Sequence, residues 1–348
     1  MNNIGLIRLL AAYAVLFGHQ FNLTSGKHGA IDPIGKFANE FIPFSKGLPG
    51  LAVMIFFILS GFLIAKSYER STSALTFIES RLLRIYPAAI VAVFFCTFVV
   101  GAAVTSLSIS DYLTHKGTWN FFLYNSSLTE IHFKLPGVFN ELPWKGGVNG
   151  SLWTLPIELL MYSYVLVLGV LGILKYRNVF NLFAVLVVLL FLLKVDDFPL
   201  LIKDGHYYMG GAFLVGVFFY KNFQTEKLNA KTLLLMLVLT GVSYETKVYD
   251  LFALFFTAYV VFYVGLNFKY KLWSLDRFGD FSYGIYLYAF PIQQLVIYLG
   301  VFESVYIQLL VSSFLTLGCS IFSWYVIEKP SLKLKGKFGK RGLPYAQS

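Results

Sequence analysis

Ten stretches of this chain are long and largely apolar, and that repetition constrains the fold more than any other feature. A helix needs about 20 mostly apolar residues to cross a bilayer. The stretches are Ile4–Leu23, Leu48–Tyr68, Leu82–Ser106, Ser151–Ile173, Val179–Leu193, Tyr207–Tyr220, Thr232–Tyr244, Leu251–Leu266, Phe281–Leu299 and Val305–Ile327. An all-α integral membrane protein with about ten transmembrane helices is expected, since such helices satisfy their own backbone hydrogen bonds within lipid. Composition agrees: only 13% of residues are charged, against about 25% in a soluble domain. A soluble globular enzyme and a disordered chain are both excluded on that ground. The 2 cysteines exclude a disulfide scaffold or a cysteine-rich zinc protein. The first stretch holds Arg8 and His19 and lacks a small-residue cleavage site, so it reads as a span and not as a cleavable signal.

The net charge of +10 then reads as a topology signal. With the amino terminus cytoplasmic and ten alternating spans, 19 of the 28 Lys and Arg fall inside and 9 outside, as the positive-inside rule requires. Only an even number of spans gives that segregation, so both termini are expected in the cytoplasm. Two outer segments follow, Thr24–Gly47 and the longer Leu107–Gly150. The second carries Trp119, Tyr124, Asn125, Glu141 and Trp144. Aromatic and amide groups suit sugar rings, but Trp and Tyr also anchor loops at the membrane interface, the more ordinary role. Residues 1–330 form one membrane domain on this reading, with residues 331–348 as a basic cytoplasmic tail.

Ionisable groups inside spans are costly and tend to face a partner or a cavity. Arg8 and His19 lie 11 residues apart, close to three helical turns, which places both on one face about 16 Å apart along the axis. Glu158 falls roughly 12 Å into the fourth stretch, counted from the outside, at a depth comparable with His19. A carboxylate near an imidazole orients its tautomer and supports its protonated form, as a general base needs. A lone membrane histidine is also a common packing residue. Arg81 and Arg84, spaced i, i+3 at the start of the third stretch, serve either as topology signals or, with Arg8, as a phosphate-binding set. The chain has no P-loop and no G-x-S-x-G elbow. Its 5 histidines lack metal-ligand spacing, so no metal site is expected. Ser60–Gly61 reads as a close-packing pair rather than a nucleophile.

Six blocks in order resemble one family, the bacterial type 3 membrane acyltransferases, which include O-acetyltransferases of surface polysaccharides. Arg8 to His19 resembles the family's R-x10-H first helix, and Gly50 to Ile64 its FF-x-x-SGF second helix. Arg81-Leu-Leu-Arg84-Ile-Tyr-Pro87 and Trp153-Thr-Leu-Pro-Ile-Glu158 are similar to the next two blocks, and Ser282–Pro291 and Ile327–Pro330 to the closing two. Met54, Ala289 and Thr24 stand where many or some members carry an acidic residue, a histidine and an acidic residue respectively. These departures move the chemistry onto His19 and Glu158.

The resemblance implies transfer of an acyl group, most often acetyl, from cytoplasmic acyl-CoA to a hydroxyl of a cell-surface or exported glycan. It implies an inner-membrane, multi-pass enzyme with acetyl-CoA as co-substrate, no bound cofactor and no nucleic-acid partner. On that reading Arg8, Arg81 and Arg84 bind the donor, His19 is the general base, and Glu158 orients it or holds charge. Trp119, Tyr124 and Trp153 are the acceptor-binding candidates. The rival class is a proton-coupled transporter using Arg8, His19 and Glu158, although no internal repeat of the kind common in transporters is visible. A glycan polymerase with a catalytic outer loop is a poorer fit, since Leu107–Gly150 holds no arginine.

Overall fold

The computed structural model describes residues 3–29, 31–41, 47–192, 207–223, 228–267 and 278–336. It is all-helical, with no strand among the described residues. The helices are α1 (Ile4–Ser25), α2 (Pro33–Phe41), α3 (Leu48–Arg70), α4 (Ala74–Val104), α5 (Ile109–Thr114), α6 (Lys116–Ser127), α7 (Gly150–Val170), α8 (Arg177–Leu192), α9 (Tyr207–Asn222), α10 (Ala230–Val242), α11 (Tyr249–Leu266), α12 (Ser282–Leu299) and α13 (Val305–Leu332). Each of the ten apolar stretches is helical over most of its described residues. Six of the helices, α1, α3, α4, α7, α11 and α13, are long and apolar enough to cross a membrane, and α8 and α10 are shorter apolar helices. This is a multi-pass membrane protein. Ten lysines and arginines used to orient the spans (Lys46, Lys194, Lys203, Lys227, Lys269, Lys271, Arg277, Lys337, Lys340 and Arg341) lie outside the described residues, as does the tail from residue 337.

Two details depart from the sequence reading. The third apolar stretch becomes helical at Ala74 and not at residue 82, because the Ser73 hydroxyl accepts the Thr76 amide at 3.1 Å, an N-cap bond for an otherwise orphaned donor. Arg81 and Arg84 consequently sit on the second and third turns of α4 instead of at its mouth. The two outer segments are also partly helical, as α2 and as α5 with α6.

The bundle's centre is built by α1, α3, α12 and α13 packing on one another, with α9 lying along α3. Close approach of α3 and α9 depends on two glycines: a β-carbon on Gly61 would stand 2.0 Å from the Phe213 carbonyl oxygen, and one on Gly216 2.1 Å from that of Ile58. Without a hydrophobic drive between helices in lipid, small residues that admit such backbone contact supply the packing. The end of α13, Ser323–Glu328, is wound as a π-helix, whose i, i+5 rungs align Ser323 with Glu328.

Candidate active site

Burying a guanidinium in a bundle requires counter-charge or a polar cavity, and three arginines meet that requirement together. Arg8 from α1 and Arg81 and Arg84 from α4 converge on a cavity of about 140 Å³ that α3, α7 and α12 complete. Glu158 and Tyr162 of α7, Ser60 of α3 and Tyr286 of α12 share its lining.

Two carboxylates that the sequence reading left unassigned organise this end of the bundle. Asp280, in the short segment before α12, accepts Arg8 at 2.5 Å and Arg84 at 2.6 Å on one oxygen, and the Ser282 hydroxyl at 2.5 Å on the other. Burial would raise its carboxyl, but the two guanidiniums outweigh that and hold it well below the usual carboxylate range. Glu328 accepts Arg84 at 3.1 Å and the Ser323 hydroxyl at 3.1 Å, with its side chain 2% exposed. Arg84 also lies over the Tyr283 ring, 5.4 Å from the centroid. Arg8, Arg84, Asp280 and Glu328 thus tie α1, α4, α12 and α13 into one ionic network.

Arg81 stands apart from that network. Among the described residues no carboxylate oxygen lies within 4.0 Å of it; it donates to the Ser80 hydroxyl at 3.1 Å and lies 5.9 Å from the ring centroids of Phe77 and Tyr162. Its positive charge is the least compensated of the three. Glu158 faces the same cavity and accepts a short hydrogen bond from the Tyr162 hydroxyl. No hydrogen bond or ion pair joins Glu158 to His19 among the described residues. The structure brings Glu158 together with the arginines.

His19 lies beyond the cavity. Tyr286 lines the cavity, and Phe290, one turn (about 6 Å) further along α12, meets the His19 ring edge-on at 5.5 Å. The His19 Nδ1 is buried without a hydrogen-bond partner. On the far side of Phe290 an aromatic chain continues to the surface: Trp144 lies 6.5 Å from Phe290, and the exposed His28 ring lies 4.0 Å from Trp144. Gln294 of α12 holds this loop by donating to the carbonyls of Trp144 and Gly147. Trp144 is thus joined to His19 through Phe290, and the contact chain singles it out where loop composition did not.

Trp119, Tyr124 and Trp153 are not among the residues lining the cavity. The Trp119 indole donates to the Leu113 carbonyl at 2.8 Å and packs on Phe98 and Phe122. Tyr124 stacks on His132, and Trp153 ends the 3-10 turn Gly150–Trp153 that opens α7. Among the described residues no group of three His, Cys, Asp or Glu side chains is placed to hold a metal ion.

The acyltransferase domain family matches residues 1–327 of the chain, a span that begins before Arg8 and takes in α1 to the π-helical end of α13. The chain belongs to that family. An O-acetyl transferase of Shigella phage Sf6 is 31% identical over 344 residues, covering 92% of this chain and 93% of the relative. Nodulation protein 10 of Rhizobium leguminosarum bv. viciae is 36% identical over 166 residues, 46% of this chain and 42% of the relative. No solved structure matches. The family makes the chain an acyltransferase, and its six motif blocks acquire a spatial order. The R-x-x-R block, the Glu158 block and the arginine of R-x10-H meet at one cavity, while the histidine of R-x10-H stands one turn past its roof. Asp280 and Glu328 were within reach of the sequence. Glu328 lies inside the Ile327–Pro330 block and Asp280 two residues before the Ser282 block, and three arginines in or near spans demand counter-ions.

Proposed function

We propose that this acyltransferase is an inner-membrane O-acetyltransferase that moves acetyl from cytoplasmic acetyl-CoA to a hydroxyl of a cell-surface or exported glycan. Ten spans and cytoplasmic termini complete the proposal. They put the arginine cavity at the inner side, with His19 in the outer half of the membrane. The observation that carries the reading is the convergence of Arg8, Arg81 and Arg84 on one cavity with His19 further along the face of α1 that bears Arg8. The full-length similarity to a phage O-acetyl transferase supports acetyl and oxygen as group and acceptor atom.

The donor's phosphates are matched by planar guanidinium forks, which bind such oxygens in pairs, and Arg81 has its charge least engaged. A thioester carbonyl passing from the cavity towards His19 meets the acceptor hydroxyl there. The hydroxyl O–H bond breaks as the imidazole takes the proton, the oxygen bonds to the carbonyl carbon and the C–S bond breaks. The departing thiolate then recovers the proton. Glu158, hydrogen-bonded by Tyr162 inside the arginine cavity, holds charge there in preference to orienting His19.

The test is binding and turnover of radiolabelled acetyl-CoA by the purified full chain in lipid nanodiscs. His19→Ala is expected to keep binding and lose roughly 10²-fold or more in turnover, the range of general-base contributions. Turnover within a few-fold of wild type would remove His19 from the chemistry. A folded wild-type protein that binds no acetyl-CoA would overturn the donor assignment and turn attention to proton-coupled flux.

A further inference from the structure

Outside the arginine cavity, Asp32 is a buried acidic residue, among the described residues, that no role assigned so far explains. It is fully buried, 0% exposed, in the segment between α1 and α2. A carboxylate that gives up water must recover its hydrogen bonds from the protein, and Asp32 recovers only part of them. Its Oδ1 accepts the Gly35 amide at 2.5 Å, the N-terminal capping bond of α2. Its Oδ2 is buried with no hydrogen-bond partner.

The space around that free oxygen is shaped by two glycines. A β-carbon on Gly35 would stand 2.3 Å from Asp32 Oδ2, so only glycine fits beneath the carboxylate. A β-carbon on Gly18 would stand 3.4 Å from Asp32 Oδ2 and 2.5 Å from the Pro49 ring. The oxygen is therefore laid directly against α1 at Gly18, the residue before His19. His19 itself presents a buried Nδ1 that has no partner. A buried carboxylate oxygen without a donor thus lies against α1 at Gly18, and the next residue of that helix, His19, carries a buried imidazole nitrogen without a partner. Each is costly alone, and an imidazole N–H and a carboxylate oxygen are complementary as donor and acceptor.

We infer that Asp32 is the positioning residue for His19: its Oδ2 accepts the Nδ1 proton, directly after a small side-chain rotation or through one water. That bond fixes the tautomer with Nδ1 protonated and leaves Nε2 as the base facing the acceptor hydroxyl. It also stabilises the imidazolium that forms when the proton moves. Catalytic hydrogen bonds are often long before substrate binds and tighten in the complex, which accounts for a juxtaposition without a formed bond. The capping bond from Gly35 holds the carboxylate in place while this happens, so α2 is the element that presents the orienting group. The inference rests on the proposed role of His19 as base and names a partner other than Glu158.

Asp32→Asn is close to isosteric and keeps an oxygen for the Gly35 amide. Steady-state acetyl-CoA turnover by the full chain in nanodiscs is expected to show a kcat lowered by roughly 10²-fold or more, with KM for acetyl-CoA and the melting temperature unchanged. Because Asp32 acts through His19, adding Asp32→Asn to His19→Ala should lower the residual rate by less than twofold, whereas independent residues lose rate multiplicatively. Full activity of Asp32→Asn beside an inactive His19→Ala overturns this inference alone. A loss that multiplies in the His19→Ala background, or that accompanies a lowered melting temperature, makes Asp32 structural and likewise overturns it. A fully active His19→Ala removes the base and this inference with it.

Discussion

Arg84→Ala is the substitution whose effect the ionic network specifies most fully. The side chain is 15% exposed and, among the described residues, is the ion-pair partner of Glu328, which is 2% exposed, while Asp280 keeps Arg8 at 2.5 Å when Arg84 is gone. Removing one partner of a buried ion pair costs about 3–5 kcal/mol, because the other charge is stranded. Since Asp280 keeps one guanidinium, the low end applies, about 3 kcal/mol. Near 2–3 °C per kcal/mol, the low end of the range for chains of a few hundred residues, the melting temperature should fall by roughly 6–9 °C. The assay is a thermal melt of the purified protein in nanodiscs, followed by tryptophan fluorescence, for wild type, Arg84→Ala, Glu328→Gln and the double variant. Glu328→Gln added to Arg84→Ala should restore at least half of the loss, since the stranded charge is then absent. A melting temperature within about 2 °C of wild type for Arg84→Ala would refute the network as a structural element. So would a double variant whose loss is the sum of the singles. Either result would free Arg84 to serve the ligand alone.

Arg81→Gln, by contrast, should leave the melting temperature within about 2 °C and weaken acetyl-CoA binding by roughly 10- to 150-fold, the loss of a charged hydrogen-bonded contact worth about 1.5–3 kcal/mol; equilibrium binding of the radiolabelled thioester decides it. Trp144→Ala should raise the KM for a glycan acceptor while leaving acetyl-CoA binding unchanged, because Trp144 stands on the surface side of Phe290 and His19 and away from the arginines; initial rates at varied acceptor concentration test this, and an altered donor affinity would refute it. Asp280→Asn should lower stability yet tighten donor binding several-fold, since it releases Arg8 and Arg84 from a competing carboxylate. The stability that Asp280 contributes has a defined pH window. Its folded pKa is depressed, so the contribution is complete above the unfolded value near 3.9 and is lost as pH falls through the folded one. The gap between wild-type and Asp280→Asn melts should therefore stay flat from pH 8 to 5 and narrow below about pH 4.

The helical stretches and the arginine cluster were legible in the sequence for simple physical reasons. Apolar runs of span length have few folded alternatives, and the 3.6-residue period places Arg81 with Arg84 on one face without reference to any other helix. The partners were less accessible, because pairing is a tertiary fact. Arg84 and Glu328 are 244 residues apart and Arg8 and Asp280 272, so no local period joins them. Glu158 shows the same limit from the other side. Counting its depth from the end of α7 expected to face outward placed it level with His19, but depth along an axis leaves the rotation about that axis open, and α7 turns Glu158 into the cavity that Arg81 and Tyr162 also line. Asp32 escaped notice because a carboxylate in a loop reads as solvated. Only the two glycines that wall it in, at Gly18 and Gly35, show that it is buried.

The charges around the cavity also bear on how a donor can enter it. Three guanidiniums face three carboxylates, Asp280, Glu328 and Glu158, yet among the described residues the ion pairs fall on only two of the arginines. Were all three arginines paired, a diphosphate would have to break a buried ion pair before gaining anything, at a cost of several kcal/mol. Were none paired, the empty cavity would hold three uncompensated charges in a low dielectric and the bundle would not close around them. The observed division resolves both difficulties. Arg84, locked between Asp280 and Glu328, holds the helices together. Arg81, with rings and a hydroxyl around it, can meet the first phosphate oxygen without losing a carboxylate. Arg8, whose partner Asp280 is 26% exposed, is the arginine that can exchange one anion for another at modest cost. If the proposed acetyl-CoA donor binds this cavity, its recognition is expected to run from Arg81 to Arg8 with Arg84 as the fixed point between them, and the Asp280→Asn variant, by separating affinity from stability in opposite directions, tests that order.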